Sequence, residues 1–223
     1  MSRVDELLGR LETSAVRYEM GRGGIPELTP QDIAAALAMC EDHFAATIYQ
    51  AVYGGTVNWQ EVDREVARAQ FAEWRERMDR MVNAQLAHAS AQFAPRAERQ
   101  AKTCHAEQLI AGARAAMWPQ LIESTYAKVR MHTLSELRDQ RICPSCKGRG
   151  SVMRDNVIAQ CYECTDTGRT RVSDRQRAAA LGMNESTYRR IWRPMYEWLY
   201  RLLSDSLVTG RKQFADALER TLG

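Results

Sequence analysis

The sequence predicts a mainly α protein: a helical body joined to a small four-cysteine zinc finger (a β-ribbon) next to a helix-turn-helix. Three observations predict this class. Apolar residues recur at helical spacing over most of the chain, two Cys-x-x-Cys pairs lie close together, and a glycine separates two short helical patterns just after them. Hydrophobic residues make up 45% and charged residues 26% of the 223 residues, a composition that supports a folded core.

The first 137 residues are predicted to form the helical body. An amphipathic pattern predicts a helix over residues 2–20, and the sequence GRGGIPELTP that follows is predicted to be a linker. Thr29 as the cap and Pro30 as the first helical residue start the next helix, which should end at the YGGT sequence of residues 53–56. Its expected buried stripe consists of Ile33, Leu37, Cys40, Phe44 and Ile48.

Two longer helical stretches follow in the body. One covers about residues 59–93 and ends before Pro95. The other covers about residues 96–137 and should be interrupted or kinked at Pro119, because proline disrupts the helical hydrogen-bond ladder. The sequence shows no nucleophile–base pair, phosphate loop or open metal site, so the chain is predicted not to be an enzyme.

Charge is distributed unevenly along the chain. Residues 1–137 carry 15 Lys/Arg and 18 Asp/Glu, whereas residues 138–201 carry 13 Lys/Arg and 7 Asp/Glu. A basic block beside an acidic one indicates a surface that faces a polyanion. Charge alone leaves open the alternative of a solvated basic face without a partner.

Two features of the chain predict a cytoplasmic location without a membrane partner. No apolar run approaches the ~18 residues that a membrane span needs, and the N-terminal sequence MSRVDELLGRLETS is acidic where a signal peptide would be apolar. In a reducing compartment, clustered cysteines are metal ligands more often than disulfides.

Cys143, Cys146, Cys161 and Cys164 follow the spacing C-x2-C-x14-C-x2-C. Zinc takes four thiolates in a tetrahedron, and each Cys-x-x-Cys turn presents two of them. Between the pairs, the loop SVMRDNVIAQ places Val152, Val157 and Ile158 around an Asp-Asn turn, which predicts a β-ribbon. The alternative interpretation is a redox-active dithiol, but two paired motifs at this spacing fit a closed zinc site better. We therefore predict one structural Zn²⁺ with no open coordination position.

The cysteine turns resemble the C-x-x-C-x-G-x-G repeats of the zinc domain of DnaJ-type chaperones. Residues 143–150 match the repeat in full, whereas residues 161–168 have Asp166 in place of the first glycine. That chaperone family carries four repeats and a His-Pro-Asp tripeptide in a J-domain, and this chain has two repeats and no such tripeptide. The resemblance therefore concerns the metal-binding module alone.

A helix-turn-helix is predicted directly after the cysteines. Ser173 and Gln176 form a capping box for a first helix, Gly182 is the expected turn residue with positive φ, and Asn184 caps a second helix. In such a unit the N-terminal residues of the second helix face base edges in the major groove. The alternative interpretation of this segment is an ordinary helical hairpin. The residues predicted to contact DNA are Arg175, Asn184, Glu185, Ser186, Thr187, Arg189, Arg190 and Arg193.

Arginines surround this unit and would supply salt-dependent affinity for phosphates. Pro194 is expected to end or kink the second helix, with a further helix over about residues 194–208. Trp192 and Trp198 are interpreted as core anchors. The arginines considered available for phosphates are Arg169, Arg171, Arg175, Arg177, Arg189, Arg190 and Arg193.

The predicted domains are therefore the helical body (1–137), the zinc finger (138–171), and the helix-turn-helix with its C-terminal helix (172–223). Residues 120–138 are a candidate first helix of the DNA-binding unit, with the finger inserted between this helix and the last two.

A two-turn zinc motif that leads into TYRRIWRPMYEWL resembles antitermination protein Q of lambdoid phages, over roughly residues 138–201. The Arg-Pro-Met-Tyr run at 193–196 is similar to that family's basic-Pro-apolar-Tyr segment. The resemblance implies binding to double-stranded DNA at a phage late promoter. It also implies loading onto host RNA polymerase holoenzyme, with contacts to the flap and to sigma, and read-through of pauses and terminators.

Two other functions remain open at this point. One is a zinc-containing DNA-binding regulator that does not travel with polymerase, and the other is a chaperone-like zinc module that binds unfolded protein. The acidic helical body is a plausible polymerase-facing surface in the antitermination case, although no motif marks it.

Overall fold

A computed structural model describes residues 30–54, 57–139, 142–154, 157–164, 168–170 and 172–222. The described chain is mainly helical and contains one two-stranded sheet. The helix predicted over residues 2–20 and the linker after it lie outside the described residues. No helix among those described combines the length and apolarity that crossing a bilayer requires.

Two helices stand where the sequence predicted one: α1 (Pro30–Ala38) and α2 (His43–Tyr53). The prediction of a continuous helix was wrong, because Asp42 has extended backbone angles and caps α2. Its carboxylate accepts a hydrogen bond from the amide of Ala45 at 2.9 Å. The apolar stripe nevertheless faces the core, with Ile33 and Ile48 fully buried and the other three members packed against it.

A helical hairpin follows, formed by α3 (Trp59–Ala91) and α4 (Arg96–Ala116). Asn58 caps the start of α3, and Pro95 directly precedes α4, where its missing N–H costs nothing. The two helices pack along each other. Small side chains allow this close approach, and the buried alanines at or near the seam are Ala84, Ala91, Ala94 and Ala106.

The next helix, α5 (Glu123–Arg138), begins after the break predicted near Pro119. It is anchored to α3 by Arg130, which is only 2% exposed. The guanidinium of Arg130 donates to the carboxylate of Asp63 at 2.7 Å and to the amide oxygen of Gln70 at 3.1 Å. A buried charge with partners on another helix fixes the orientation of α5 against the body.

The predicted β-ribbon is confirmed by β1 (Ser151–Arg154) and β2 (Val157–Gln160), which pair antiparallel. The register places Met153 opposite Ile158 and Val152 opposite Ala159. Val152 packs against the cysteines, whereas Met153 and Ile158 alternate to the other face and are exposed.

The chain then forms α6 (Asp174–Ala180) and α7 (Glu185–Thr187), followed by a π-helical segment (Tyr188–Trp192) and α8 (Arg193–Leu222). The last three are contiguous. Pro194 does not end the helix, and the C-terminal helix extends well beyond the predicted end near residue 208. In the segment before the proline, the amide of Arg193 donates to the carbonyl of Tyr188, five residues back. This wider turn accommodates the proline ring, which would clash with the carbonyl four residues before it in a regular helix.

Helices on both sides of the cysteine segment share one apolar core. Trp192 is buried edge-on against Tyr126 of α5, with ring centroids 5.8 Å apart, and Trp198 packs edge-on against Trp118 at 4.9 Å, so both act as the predicted core anchors. Helix α8 also packs against α2, where Gly210 lies so close to the carbonyl of Ala45 that a side chain would clash. The four cysteines form a second, separate cluster.

Candidate metal centre and neighbouring basic surface

The four cysteines predicted as ligands come together in the structure. Their Sγ atoms all lie within 4.8 Å of one another, and each residue is at most 1% exposed. The Sγ atoms of Cys143 and Cys161 are 3.9 Å apart, and those of Cys146 and Cys164 are 3.6 Å apart. A tetrahedral zinc site with Zn–S bonds of about 2.3 Å has sulfur–sulfur edges of about 3.8 Å. The cluster could therefore hold one metal ion, and its dimensions fit zinc.

The two cysteine turns support each other through a reciprocal pair of backbone hydrogen bonds. The amide of Cys143 donates to the carbonyl of Gly168 at 2.9 Å, and the amide of Cys161 donates to the carbonyl of Gly150 at 2.8 Å. Each turn thus holds the final glycine of the other. Gly168 has φ +70, and a side chain there would clash with the carbonyl of Gly148, so glycine is required.

The first turn adopts left-handed backbone at Lys147, Gly148 and Gly150. This conformation lets the amide of Gly150 donate to the sulfur of Cys146 at 3.3 Å. The counterpart of Gly148 in the second turn is Asp166. It lies outside the described residues, so the interpretation of this departure from the repeat remains a prediction.

The pKa values of the clustered thiols shift in opposite directions. Burial raises the pKa of Cys146, but hydrogen bonds led by the amide of Gly150, together with the neighbouring thiols, bring that pKa down to about 7. Burial and the thiol of Cys161 raise the pKa of Cys164 to about 11. Four sulfurs this close cannot all ionise unless a cation offsets their charge, and metal binding supplies that charge.

The residues predicted to contact DNA lie in α6, in α7 and in the π-helical segment with the first residue of α8. The capping box of α6 is present, since Ser173 and Gln176 bond to each other's backbone. Gly182 has φ +71, as predicted for the turn. Asn184 caps α7, and its side-chain oxygen accepts from the amide of Thr187 at 2.7 Å and from the hydroxyl of Ser186 at 2.9 Å. The side-chain oxygen of Asn184 is therefore engaged in capping its own helix.

The four arginines predicted to contact DNA are all exposed. Arg189 and Arg190 are exposed and share a shallow surface depression with Glu185 and Ser186. Arg193 is also exposed, and its Nε lies 2.7 Å from the carboxylate of Glu197.

The fourth, Arg175, is exposed on α6. Within the part of the chain that the structure describes, no ion pair involves Arg175 or Arg190.

Arg177 does not belong to this exposed set, contrary to the sequence-based expectation. Its guanidinium donates to both carboxylate oxygens of Glu136 in α5, at 2.6 and 3.0 Å, and lies 4.7 Å from the ring centroid of Tyr196 in α8. The hydroxyl of Tyr196 donates to the same carboxylate at 2.9 Å. The three residues tie α5, α6 and α8 together, so Arg177 is a structural residue.

The electrostatics of this triad keep each member in the required state. Burial opposes the charge of Arg177, but the hydrogen bond and charge of Glu136 outweigh it and raise the arginine pKa. Burial and the Glu136 carboxylate also raise the pKa of Tyr196, so its hydroxyl stays protonated and donates.

Sequence reasoning missed Glu136 and also Asp174, whose carboxylate contacts Arg189 at 3.2 Å. Asp174 directly follows the predicted cap, but its partner is 15 residues away, beyond the turn. Glu136 is 41 residues from Arg177, on the far side of the finger. No spacing rule connects such pairs before the helices are placed.

A scan against protein-family models found no match, and neither the curated proteins nor the solved structures gave a significant match to this chain.

Proposed function

We propose that this chain is a double-stranded DNA-binding transcription regulator, in which a zinc finger is inserted into a helix-turn-helix unit. Helix α5 is the first helix of the unit, α6 the second, and the segment that starts at α7 the recognition helix. The observation that carries the proposal is the placement of exposed arginines beside a capped, polar helix start. Arg190 and Arg175 flank the turn at Gly182 and have no acidic partner described.

The contacts among α5, α6 and α8 support the assignment of these helices to one DNA-binding unit. Glu136, Arg177 and Tyr196 bond across all three helices, and Ala178, Leu181 and Tyr188 belong to the core that α5 also enters. The finger joins α5 to α6 in the chain. A single structural Zn²⁺ held by the four cysteines would thus stabilise the connection between the first and second helices of the unit.

The narrower function is antitermination, and it rests on the resemblance to protein Q of lambdoid phages. In this reading the chain binds a late promoter and then joins host RNA polymerase, through the flap and sigma, to read through pauses and terminators. The long α3–α4 hairpin and the rest of the helical body are then candidates for the polymerase-facing surface.

Arg190→Ala is expected to weaken DNA binding to all sequences about equally and to reduce the slope of log affinity against log salt by about 1. The reason is that each phosphate contact releases about one counterion. Arg175→Ala should act in the same way. The measurement is fluorescence anisotropy of the zinc-loaded full chain on a random-sequence duplex, over a series of salt concentrations.

Arg75→Ala is the matched control, because Arg75 is an exposed arginine of α3, outside the proposed interface. It removes the same charge and should leave the slope unchanged. Equal effects of the three variants would mean that the chain attracts DNA through its overall charge only, and would refute the assigned surface.

Antitermination itself is tested by run-off transcription on a late-promoter template with a downstream terminator. The antiterminator predicts read-through above the level without protein, and loss of that read-through in Arg190→Ala. DNA binding without read-through would favour a regulator that does not travel with polymerase.

One observation favours the chaperone-like alternative. Three apolar side chains at and near the tip of the ribbon are 65–73% exposed: Met153, Val157 and Ile158. Such side chains could contact unfolded protein. That function predicts suppression of aggregation of a reduced client protein, lost on Ile158→Ser, with little dependence on salt and no affinity for duplex DNA.

A further inference from the structure

Asp174 forms ion pairs with two of the four exposed arginines that are predicted to contact DNA. Its carboxylate lies 3.2 Å from Nε of Arg189 and 3.6 Å from Nη1 of Arg193. Glu185 contacts the Nη2 of Arg189 as well, so two acidic side chains from different helices grip that guanidinium. Arg175 and Arg190 have no such partners among the described residues.

Pairing changes what an arginine can do at a DNA surface. A guanidinium whose charge is already balanced by carboxylates releases few counterions when it approaches a phosphate. The same contacts fix the planar fork in one orientation, so less conformational entropy is lost when it forms two parallel hydrogen bonds. A held arginine is therefore poorly suited to phosphate binding and well suited to bidentate recognition of a base edge.

Asp174 is placed to act as the support for this arrangement. It is the first residue of α6, directly after the N-cap residue Ser173, and its side chain is only 18% exposed. The arginine side chain that it holds is 59% exposed, and its described contacts use Nε and Nη2, with none to Nη1 among the described residues. Arg189 also lies two residues after Thr187 on the contiguous helix that starts at Glu185, on the side of the shallow depression lined by Ser186 and Arg190.

We propose that Arg189 reads a guanine in the major groove and that Asp174, together with Glu185, is the positioning group that makes this contact selective. Guanine presents N7 and O6 as two acceptors to one arginine fork. Arg175 and Arg190 bind the phosphate backbone on either side. The inference rests on the proposed DNA-binding function and adds the base that this unit selects.

The carboxylates have a second effect, on DNA without the preferred base. Asp174 and Glu185 bring negative charge close to the phosphates, which disfavours sequence-independent binding. When guanine is present, the guanidinium of Arg189 donates to N7 and O6 of the base. These hydrogen bonds offset the repulsion between the two carboxylates and the phosphates. The acids thus widen the difference between specific and non-specific DNA.

The test begins with selection of a binding site from a random duplex library by the zinc-loaded full chain. Affinities are then measured for the selected duplex and for duplexes in which each guanine·cytosine pair is replaced in turn. We expect Arg189→Ala to lose about 10-fold to 100-fold discrimination at one guanine and little at the other positions. Arg189→Lys should not restore it, because lysine lacks the fork.

Asp174→Asn separates positioning from folding. This substitution keeps the size of the side chain and removes its charge, and circular dichroism checks that the helices persist. We expect discrimination at the same guanine to fall about 10-fold while affinity for random-sequence duplex rises. Arg190→Ala should lower affinity for every duplex alike and leave the discrimination intact.

Three outcomes would overturn the inference, and one of them separates it from the proposed function. If the wild-type chain binds no duplex, both are wrong. If it binds duplex but Arg189→Ala weakens all duplexes equally, the chain binds DNA and Arg189 contacts phosphate. If Arg189→Ala loses the guanine preference but Asp174→Asn keeps it in full, Asp174 is not a positioning residue.

Discussion

Replacing Cys161 by serine is expected to abolish zinc binding and to unfold the finger. Cys161 is completely buried, and its sulfur is one of four that lie within 4.8 Å of one another. Among the described residues, Val152 is the partly buried apolar residue that packs against the cysteines, so we expect a bound metal ion to supply most of the folding free energy of this segment. Structural zinc contributes about 10 kcal/mol or more in metal-held segments of this size.

The measurement is zinc content by atomic emission, together with hydrogen exchange of the ribbon amides. Wild type should hold about one zinc per chain, and Cys161→Ser should hold essentially none, with the ribbon exchanging freely. Cys104→Ser is the control, because Cys104 is exposed and lies outside the cluster. A wild-type chain that keeps a protected ribbon without any metal would rule out the zinc site.

Glu136→Ala is expected to lower the free energy of unfolding more than any other substitution proposed here in a helix. It leaves the guanidinium of Arg177 without a counter-charge at a site where that side chain is 14% exposed, and it removes the acceptor of Tyr196. Breaking one side of a buried ion pair costs about 3–5 kcal/mol. Against a total stability of about 5–15 kcal/mol, this loss is large. The measurement is urea unfolding of the zinc-loaded chain, followed by circular dichroism.

A double variant makes this prediction specific to the buried charge. Glu136→Met combined with Arg177→Met should recover the part of the lost stability that comes from the unpaired guanidinium, because apolar residues can replace a buried ion pair at little cost. Arg68→Ala breaks an exposed pair with Glu65 and should change stability by about 1 kcal/mol or less. If Glu136→Ala costs no more than Arg68→Ala, the triad does not hold the three helices together.

Short-range chemistry made much of the fold predictable from the sequence. The cysteine spacing predicted a cluster that the structure brings together, and the β-branched residues around the Asp-Asn turn predicted the ribbon. The capping box at Ser173 and the glycine at 182 fixed the two ends of α6. Each of these features depends on residues a few positions apart, so the local sequence is enough to predict it.

The missed features depend on contacts between distant residues or on competition between local preferences. Pro194 was expected to stop a helix, but the π-helical turn before it accommodates the ring, and the helix gains a long packed continuation against the body. Arg177 looked like a phosphate ligand because its pairing with Glu136 spans the whole finger. The break at Asp42 could have been predicted, since aspartate at that position is a good helix cap.

In the proposed function, the surface formed by residues 173–193 binds duplex DNA. Hydrogen–deuterium exchange of the zinc-loaded full chain, with and without a random-sequence duplex at low salt, tests it most directly. We expect DNA to slow exchange mainly in residues 173–193 and to leave the tip of the ribbon and the α3–α4 hairpin unchanged. Binding of DNA with protection confined to other parts of the chain, or no protection at all, would contradict it.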